Sequence, residues 1–244
     1  MKSTLSTLLF ILIGSTLSLA QSKITVDSVF NKYYDATGGK ALWDNIKTYS
    51  MQRSYRAGTS ADYDAEVYVS LPEQAMHKSK IIMKRGFVYA VKGNDGWLKI
   101  PLGSGDKVTK YQVNDLGKAE QTSMRAEMYD LLVPFLNYQT RGYVATLVGT
   151  ETLNGKPVHQ VELQSKDVRY NLYFDAGSGL LVREKQLEGG VETVTDYSNY
   201  TKSKYGIMYP AAAVETNTKD KKAIKVTTAS LAINEAINPE YFKR

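Results

Sequence analysis

The sequence predicts a mainly β (α+β) fold, a single sheet of about 11–12 antiparallel strands that twists, curls or closes, with helices covering its concave face. Many runs alternate apolar and polar residues with a period of two, which is typical of strands with one buried face. Gly- and Asn-containing turns join neighbouring runs into hairpins. Two segments have helical spacing instead, and a curled sheet of this size needs apolar helices to fill its concave side.

The N-terminus has the features of a cleaved secretory signal peptide over residues 1–20. Lys2 precedes the apolar run Leu8–Ile13, and Ala20 follows small residues at the cleavage position. A membrane anchor is the other interpretation, but the apolar run is short for a span. The sequence therefore predicts an exported protein, with residues 21–244 forming one domain.

The amino-acid composition excludes further classes of protein. The chain contains no cysteine, so it has neither a disulfide nor the cysteine to which a bacterial lipoprotein anchor is attached. The 31 Lys and Arg residues exceed the 25 Asp and Glu residues only mildly, and they are scattered. The densest basic patch, Lys219–Lys222, is interpreted as a solvated hairpin tip. Nothing in this pattern favours nucleic-acid binding.

The first helix is predicted to begin after Thr25 as its N-cap and to end at Gly38-Gly39. Its apolar positions are spaced by three and four residues. A short second turn follows over residues 40–46. A longer helix is predicted over residues 119–138, ended or kinked by Pro134.

Strands occupy most of the remaining sequence. In the run Thr48–Arg56, Tyr49, Met51 and Tyr55 share one side, and Arg53 falls on that same apolar side. Further strands are predicted up to Ile100, and residues 103–118 are predicted to be a loop. Strands resume at Tyr143, with turns such as Asn154-Gly155, and continue to Asn234. The tail 237–242 is predicted to fold back against the sheet.

Enzymatic residues are sparse, and the sequence predicts neither a catalytic centre, a metal site nor a cofactor. His77 and His159 are the two histidines, far apart in the chain and each within a predicted strand. A hydrogen-bonded structural histidine is the interpretation favoured for both. Glu127 and Asp130 on the longer helix are interpreted as a solvated face. No nucleophile elbow, zinc motif or phosphate loop is present.

The content of aromatic and methionine side chains favours a ligand-binding cavity over a catalytic centre. The chain has 18 Tyr, 6 Phe, 2 Trp and 7 Met, and many fall on one side of the strands and of the longer helix. Such side chains adapt well to an acyl chain. An ordinary core is the alternative. The predicted lining of an apolar cavity consists of Met51, Tyr55, Val67, Trp97, Met128, Leu132 and Phe135.

Several short motifs appear in a characteristic order along nearly the whole mature chain: Ala36-Thr37-Gly38-Gly39, Asn94-Asp95-Gly96-Trp97, Leu153-Asn154-Gly155-Lys156-Pro157-Val158, Tyr173-Phe174-Asp175 with Gly179-Leu180-Leu181, Gly206-Ile207-Met208-Tyr209-Pro210, and Ile237-Asn238-Pro239 with Tyr241-Phe242. In these motifs the chain resembles the LolA/LolB-like superfamily, particularly the outer membrane lipoprotein-sorting protein-like members of Bacteroidetes-type bacteria. The resemblance implies a half-closed β-barrel, helices over its concave face and a periplasmic location.

The resemblance also implies a carrier that holds lipid or lipoprotein acyl chains and has no catalytic centre. An envelope membrane or a membrane protein is then a further expected partner. Lipoprotein carriers of the superfamily have an arginine before a strand-leading proline, whereas this sequence has Leu71 before Pro72. Two alternatives to transport stay open: an envelope regulatory or scaffold protein that binds a protein partner through the same fold, and an enzyme that depends on His77 or His159.

Overall fold

A computed structural model describes residues 24–59, 62–103 and 110–244. The predicted signal peptide, residues 1–20, lies outside the described residues. Three helices and thirteen strands occupy the described part of the chain. The helices are α1 (Val26–Ala36), α2 (Lys40–Asp44) and α3 (Lys118–Asp130). The strands are β1 (Thr48–Arg56), β2 (Tyr63–Ser70), β3 (Ala75–Ile82), β4 (Arg85–Lys92), β5 (Asp95–Leu102), β6 (Lys110–Asp115), β7 (Val144–Leu153), β8 (Lys156–Gln164), β9 (Val168–Asp175), β10 (Leu181–Glu188), β11 (Val191–Lys202), β12 (Met208–Asn217) and β13 (Ile224–Ile233).

All thirteen strands belong to one antiparallel sheet that stays open, in the order β6-β5-β4-β3-β2-β1-β13-β12-β11-β10-β9-β8-β7. Each neighbouring pair within β1–β6 and within β7–β13 is also adjacent in sequence, so each half is a meander. The two meanders join only where β1 pairs with β13, which we call the seam. This confirms the predicted mainly β, open half-barrel architecture.

Local sequence accounts for the first helix. The Thr25 hydroxyl accepts a hydrogen bond from the Ser28 amide at 3.2 Å, and the Ser28 hydroxyl accepts one from the Thr25 amide at 2.9 Å. This reciprocal capping satisfies two donors at the helix start. Gly38 and Gly39 follow the helix with φ values of 121° and 96°, a region that favours glycine. Both predicted boundaries of α1 are confirmed.

Two predicted elements differ from the structure. The segment expected to be a loop contains β6, an edge strand whose six side chains are all exposed and which therefore lacks the alternation that identifies a half-buried strand. The longer helix ends at Asp130 rather than near Val133 or Tyr138. Pro134 disfavours the helical conformation at the residue before it, and turns carry the chain from Leu131 to Gly142.

The main core fills the concave side of the sheet. It combines α1, α2, α3 and the inward-facing residues of most strands. An aromatic group under α1 forms its densest part: Phe30 stacks on Phe135 with ring centroids 4.3 Å apart, and Tyr33 and Phe174 meet Phe135 edge-on. Such offset and edge contacts add to the gain from burial.

The C-terminal tail covers part of the convex side, as the sequence analysis expects. Its 3-10 helix, Pro239–Phe242, packs on β3 and β4. The Tyr241 ring stacks on Tyr68 at a centroid distance of 4.1 Å. The Tyr241 carbonyl accepts a hydrogen bond from Nδ1 of His77 at 3.0 Å, and Phe242 is buried.

Candidate functional site

A cavity of about 250 Å³ lies between α3 and the middle of the concave face. Its walls come from β1–β3 on one side of the seam and from β10–β13 on the other. Met51, Leu132 and Leu231 line an apolar part, and Met51 is opposite Leu231 in the β1–β13 register. Charged side chains and tyrosines line the rest, so the cavity is much more polar than the sequence analysis expects.

Helix α3 forms the cover of the cavity. Glu120 Oε2 accepts a hydrogen bond from the Gly117 amide at 2.9 Å, which satisfies a donor at the helix start. Glu127 and Asp130, three residues apart, both face the cavity. The interpretation of these two carboxylates as a solvated face is therefore wrong, because the curled sheet encloses the side of α3 that carries them.

Both of these carboxylates have basic partners. Glu127 forms an ion pair with Lys78 of β3, whose side chain is 10% exposed. Burial alone lowers the pKa of Lys78, but the charge and hydrogen bond of Glu127 reverse this, so the pKa of Lys78 is raised. Asp130 accepts hydrogen bonds from Arg141 at 3.0 Å and from the Tyr170 hydroxyl at 2.8 Å. Burial raises the pKa of Asp130 to about 6, against the opposing effect of Arg141.

The opposite wall carries a buried carboxyl group that is hydrogen-bonded to a tyrosine instead of being paired with a basic side chain. Glu184 of β10 is 7% exposed and accepts a hydrogen bond from the Tyr197 hydroxyl at 2.9 Å. Burial, followed by the charge of Asp130, raises the pKa of Glu184 to about 8. Glu184 is thus largely protonated at neutral pH, and it needs no cation beside it.

Two further charged side chains in the cavity have no direct partner among the described residues. Arg53 of β1 and Glu215 of β12 take part in no hydrogen bond or ion pair there, and the Arg53 Nε atom is buried. The Arg53 guanidinium carbon lies 5.3 Å from the centroid of the Tyr55 ring. Burial raises the pKa of Glu215, and the charge of Arg53 partly opposes this.

The structure brings together only part of the predicted cavity lining. Met51, Tyr55 and Leu132 line the cavity. Val67 and Met128 are also on the concave side but lie in solid core, with exposures of 1% and 0%.

Two predicted lining residues lie elsewhere. Phe135 belongs to the aromatic group under α1 and borders a separate surface cavity. Trp97 lies on the convex side, which corrects its predicted position. It is opposite Ala90, which is opposite His77 in the strand register, and His77 contacts the C-terminal tail. Trp97 is 3% exposed on this side, and aromatic character alone does not tell which side of a strand faces the cavity.

Sequence reasoning did not identify Lys78, Glu184 or Glu215 as site residues, although a signal existed. Each lies on the concave side of its strand: Lys78 is opposite Val67, and Glu184 is opposite Leu172. Among the charged residues, the sequence analysis placed only Arg53 on the apolar side of its strand.

The histidines lie on different faces of the sheet. His77 is on the convex face, and His159, opposite Phe174, has the orientation of the concave residues. The Thr150 hydroxyl lies 2.9 Å from His159 Nδ1. Burial lowers the pKa of both histidines. Within the described residues there is no cluster of three or more His, Asp or Glu side chains suited to a metal ion, and no helix there is long and apolar enough to cross a membrane.

Comparisons with known proteins identify the fold. No protein-family model and no curated sequence matches this chain. Among solved structures, the chain is similar to a LolA superfamily protein from Nitrosomonas europaea, with 15% identity, 91% of this chain and 99% of that chain covered, and a TM-score of 0.58. A putative outer membrane lipoprotein-sorting protein domain from Vibrio parahaemolyticus matches with 12% identity, coverage of 88% and 94%, and a TM-score of 0.57.

A DUF1329 family protein from Desulfovibrio piger matches similarly, with 13% identity, coverage of 91% and 98%, and a TM-score of 0.59. These likenesses extend over most of each chain. The protein therefore has a LolA-like fold, as the sequence motifs suggest.

Proposed function

We propose that this protein is a periplasmic carrier or binding protein for a lipid or lipoprotein acyl chain, which it holds between the curled sheet and α3. The observation that carries the proposal is the construction of α3 as a cover over an internal cavity. Of its thirteen residues only Met124 and Met128 are buried. A helix with so little apolar burial is among the elements that open at low free-energy cost.

Contacts at both ends of α3 hold it closed. Arg125 donates hydrogen bonds from Nε and Nη2 to the Gly93 carbonyl at 2.9 and 2.7 Å, and Gln121 donates to the Leu116 carbonyl at 2.9 Å. The Tyr49 hydroxyl donates to the Met128 carbonyl at 2.7 Å. The Lys78–Glu127 ion pair and the Tyr170–Asp130 hydrogen bond also join α3 to the sheet, and outward movement of the helix would exchange all of these contacts for contacts with water.

The size of the cavity supports a moving cover. Pockets for small-molecule ligands measure about 300–1,000 Å³, so the roughly 250 Å³ present here suits only part of an acyl chain. Outward movement of α3 would add the space now filled by Met124, Met128 and Leu132. Each methylene transferred from water into such an apolar space gains about 0.8 kcal/mol.

A disulfide across the cover tests the proposal. A Cβ atom on Gly96 would lie 2.6 Å from Cγ of Gln121, so the Cβ atoms of two cysteines here fall near the roughly 3.5–4.5 Å separation of disulfides. The chain has no cysteine of its own. We expect the oxidised Gly96→Cys/Gln121→Cys variant to lose uptake of a fluorescent C16 fatty acid at least tenfold, and reduction to restore it.

The reduced double variant and the single variant Gln121→Cys, treated with the same oxidant, are the matched controls and are expected to bind like wild type. Equal uptake by the oxidised and reduced double variant would contradict a moving cover. If neither form nor the wild type takes up any acyl probe, the carrier proposal fails. Native mass spectrometry of protein from its own periplasm would then decide whether a protein partner co-purifies, as the scaffold alternative requires.

A further inference from the structure

Arg53 and Glu215 line the same cavity with opposite charges, and both side chains are half-buried. Neither takes part in a hydrogen bond or ion pair among the described residues, and Arg53 Nε is fully buried without a hydrogen bond. A charge that is partly removed from water and lacks a hydrogen-bonded partner is unfavourable, so such groups in a binding cavity indicate a ligand that completes them.

The other charges of the cavity are already matched. Lys78 pairs with Glu127, Asp130 pairs with Arg141, and Glu184 is hydrogen-bonded to Tyr197 in a largely neutral form. Arg53 and Glu215 thus remain as one positive and one negative group whose charges sum to zero.

The strand register sets these two groups apart. Arg53 is opposite Thr228 of β13, and Glu215 is opposite Ile224 of the same strand. Two strand spacings, about 10 Å, separate their backbones across the sheet, and the four residues from Ile224 to Thr228 add about 13 Å along the strands. Their long side chains reach into the cavity and influence each other's charge without forming an ion pair. The two side chains therefore offer one cationic and one anionic group at separate points of the same cavity.

We propose that the cavity receives the zwitterionic headgroup of an amphiphile, with Arg53 binding its phosphate or carboxylate and Glu215 binding its ammonium group. The inference rests on the proposed function, since the acyl chain occupies the apolar side at Met51, Leu132 and Leu231. Arginine is suited to such anions because its planar guanidinium donates two parallel hydrogen bonds.

A purely anionic headgroup fits less well. It would leave Glu215 unpaired and would add a negative charge close to Glu127 and Asp130. A neutral headgroup would leave both Arg53 and Glu215 without partners. A zwitterion satisfies both groups and leaves the total charge of the cavity unchanged.

Binding of four amphiphiles with the same C16 chain tests the inference by titration calorimetry. Lysophosphatidylethanolamine and O-palmitoyl-serine are zwitterions that carry phosphate and carboxylate, respectively. Lysophosphatidylglycerol is anionic, and monopalmitoylglycerol is neutral. We expect wild type to bind at least one zwitterion tenfold or more tightly than the anionic and neutral probes. The ranking of the two zwitterions identifies the preferred anion.

Variants of Arg53 and Glu215 test whether these two residues cause the preference for a zwitterion. Arg53→Gln and Glu215→Gln should each bring the affinity for the zwitterion down to that for the neutral probe, with affinity for the neutral probe unchanged. Arg169→Gln and Glu151→Gln, which alter exposed side chains of β9 and β7, are the matched controls and should keep the preference.

Equal affinity of wild type for the zwitterionic and neutral probes would overturn the inference and leave the carrier proposal standing. Tighter binding of the anionic probe would also overturn it. Absence of binding by all four probes would overturn both proposals. The ranking by wild type needs no variant, so the inference remains testable even where Arg53→Gln fails to fold.

Discussion

At the scale of single residues, the cavity shows three ways of accommodating a polar side chain away from water. Lys78 keeps its charge beside Glu127, Glu184 is largely neutral through its raised pKa, and Arg53 has no direct partner in the described structure. The sequence reveals the side of the strand on which these residues lie. It does not reveal which charges meet, because Lys78 and Glu127 are 49 residues apart and meet only through the curvature of the sheet.

The pKa of Glu184 predicts a dependence of stability on pH. Its folded-state pKa of about 8 exceeds the ordinary value of 4.5, so its contribution is fully present below about pH 4.5 and is lost as the pH rises through about 8. In Glu184→Gln the amide oxygen can still accept the Tyr197 hydroxyl hydrogen bond, and no ionisation occurs. We expect the variant to gain roughly 4 kcal/mol over wild type between pH 4.5 and 9.

Urea unfolding of both proteins across this pH range measures the difference. Asp130 and Glu215 are present in wild type and variant alike, so subtracting the two free energies of unfolding leaves the ionisation of Glu184 together with its electrostatic coupling to these two carboxylates. Parallel pH profiles would show that Glu184 ionises in the folded protein as it does in water.

At the scale of elements, the helices and strands with clear periodicity could be predicted from the sequence, and the others could not. The capping residues and glycines around α1 define it locally. By contrast, β6 has no buried side to produce alternation, and the apolar residues after Asp130 keep a helical spacing although the chain forms turns there. Those residues are buried because they cover the sheet, and a local sequence pattern does not show this long-range contact.

Gly38 shows how closely the helices meet the sheet. A Cβ atom there would lie 2.7 Å from the carbonyl oxygen of Gly206, in the turn between β11 and β12. Gly38→Ala is therefore expected to lower the free energy of unfolding by roughly 3 kcal/mol, through both backbone strain and this contact.

Gly39→Ala separates these two causes, since Gly39 also has a positive φ but open space around its Cβ position. The Gly39 variant should lose at least about 1 kcal/mol less than the Gly38 variant in urea unfolding. Equal losses would mean that the Gly206 contact adjusts at no cost.

At the scale of the whole molecule, the seam between β1 and β13 unites the two meanders. Asn234, just after β13, supports the seam. Its Oδ1 accepts hydrogen bonds from the amides of Lys47 and Thr48 at 2.8 and 3.2 Å, and its Nδ2 donates to the Asn45 carbonyl at 2.9 Å. Asn234 also has a φ of 56°, which asparagine tolerates better than most residues.

Asn234→Ala should lower the free energy of unfolding by roughly 2 kcal/mol, because it removes these hydrogen bonds and strains the backbone. Asn234→Gly removes the same bonds without the strain, so it should lose less. Thermal and urea unfolding provide the comparison. An Asn234→Ala variant within about 0.5 kcal/mol of wild type would mean that water replaces the side chain fully.

The seam also has a consequence for the order in which the parts of the chain fold. Every other strand pairing connects neighbours in sequence, whereas the residues joined at the seam are as many as 187 positions apart. Closing so long a loop carries an entropic penalty that the local hairpins do not bear. We therefore expect the two meanders to form first, and their union at the seam to limit the rate of refolding. Until that union, β1 and β13 both present unpaired edges, and a second chain can substitute for the missing half.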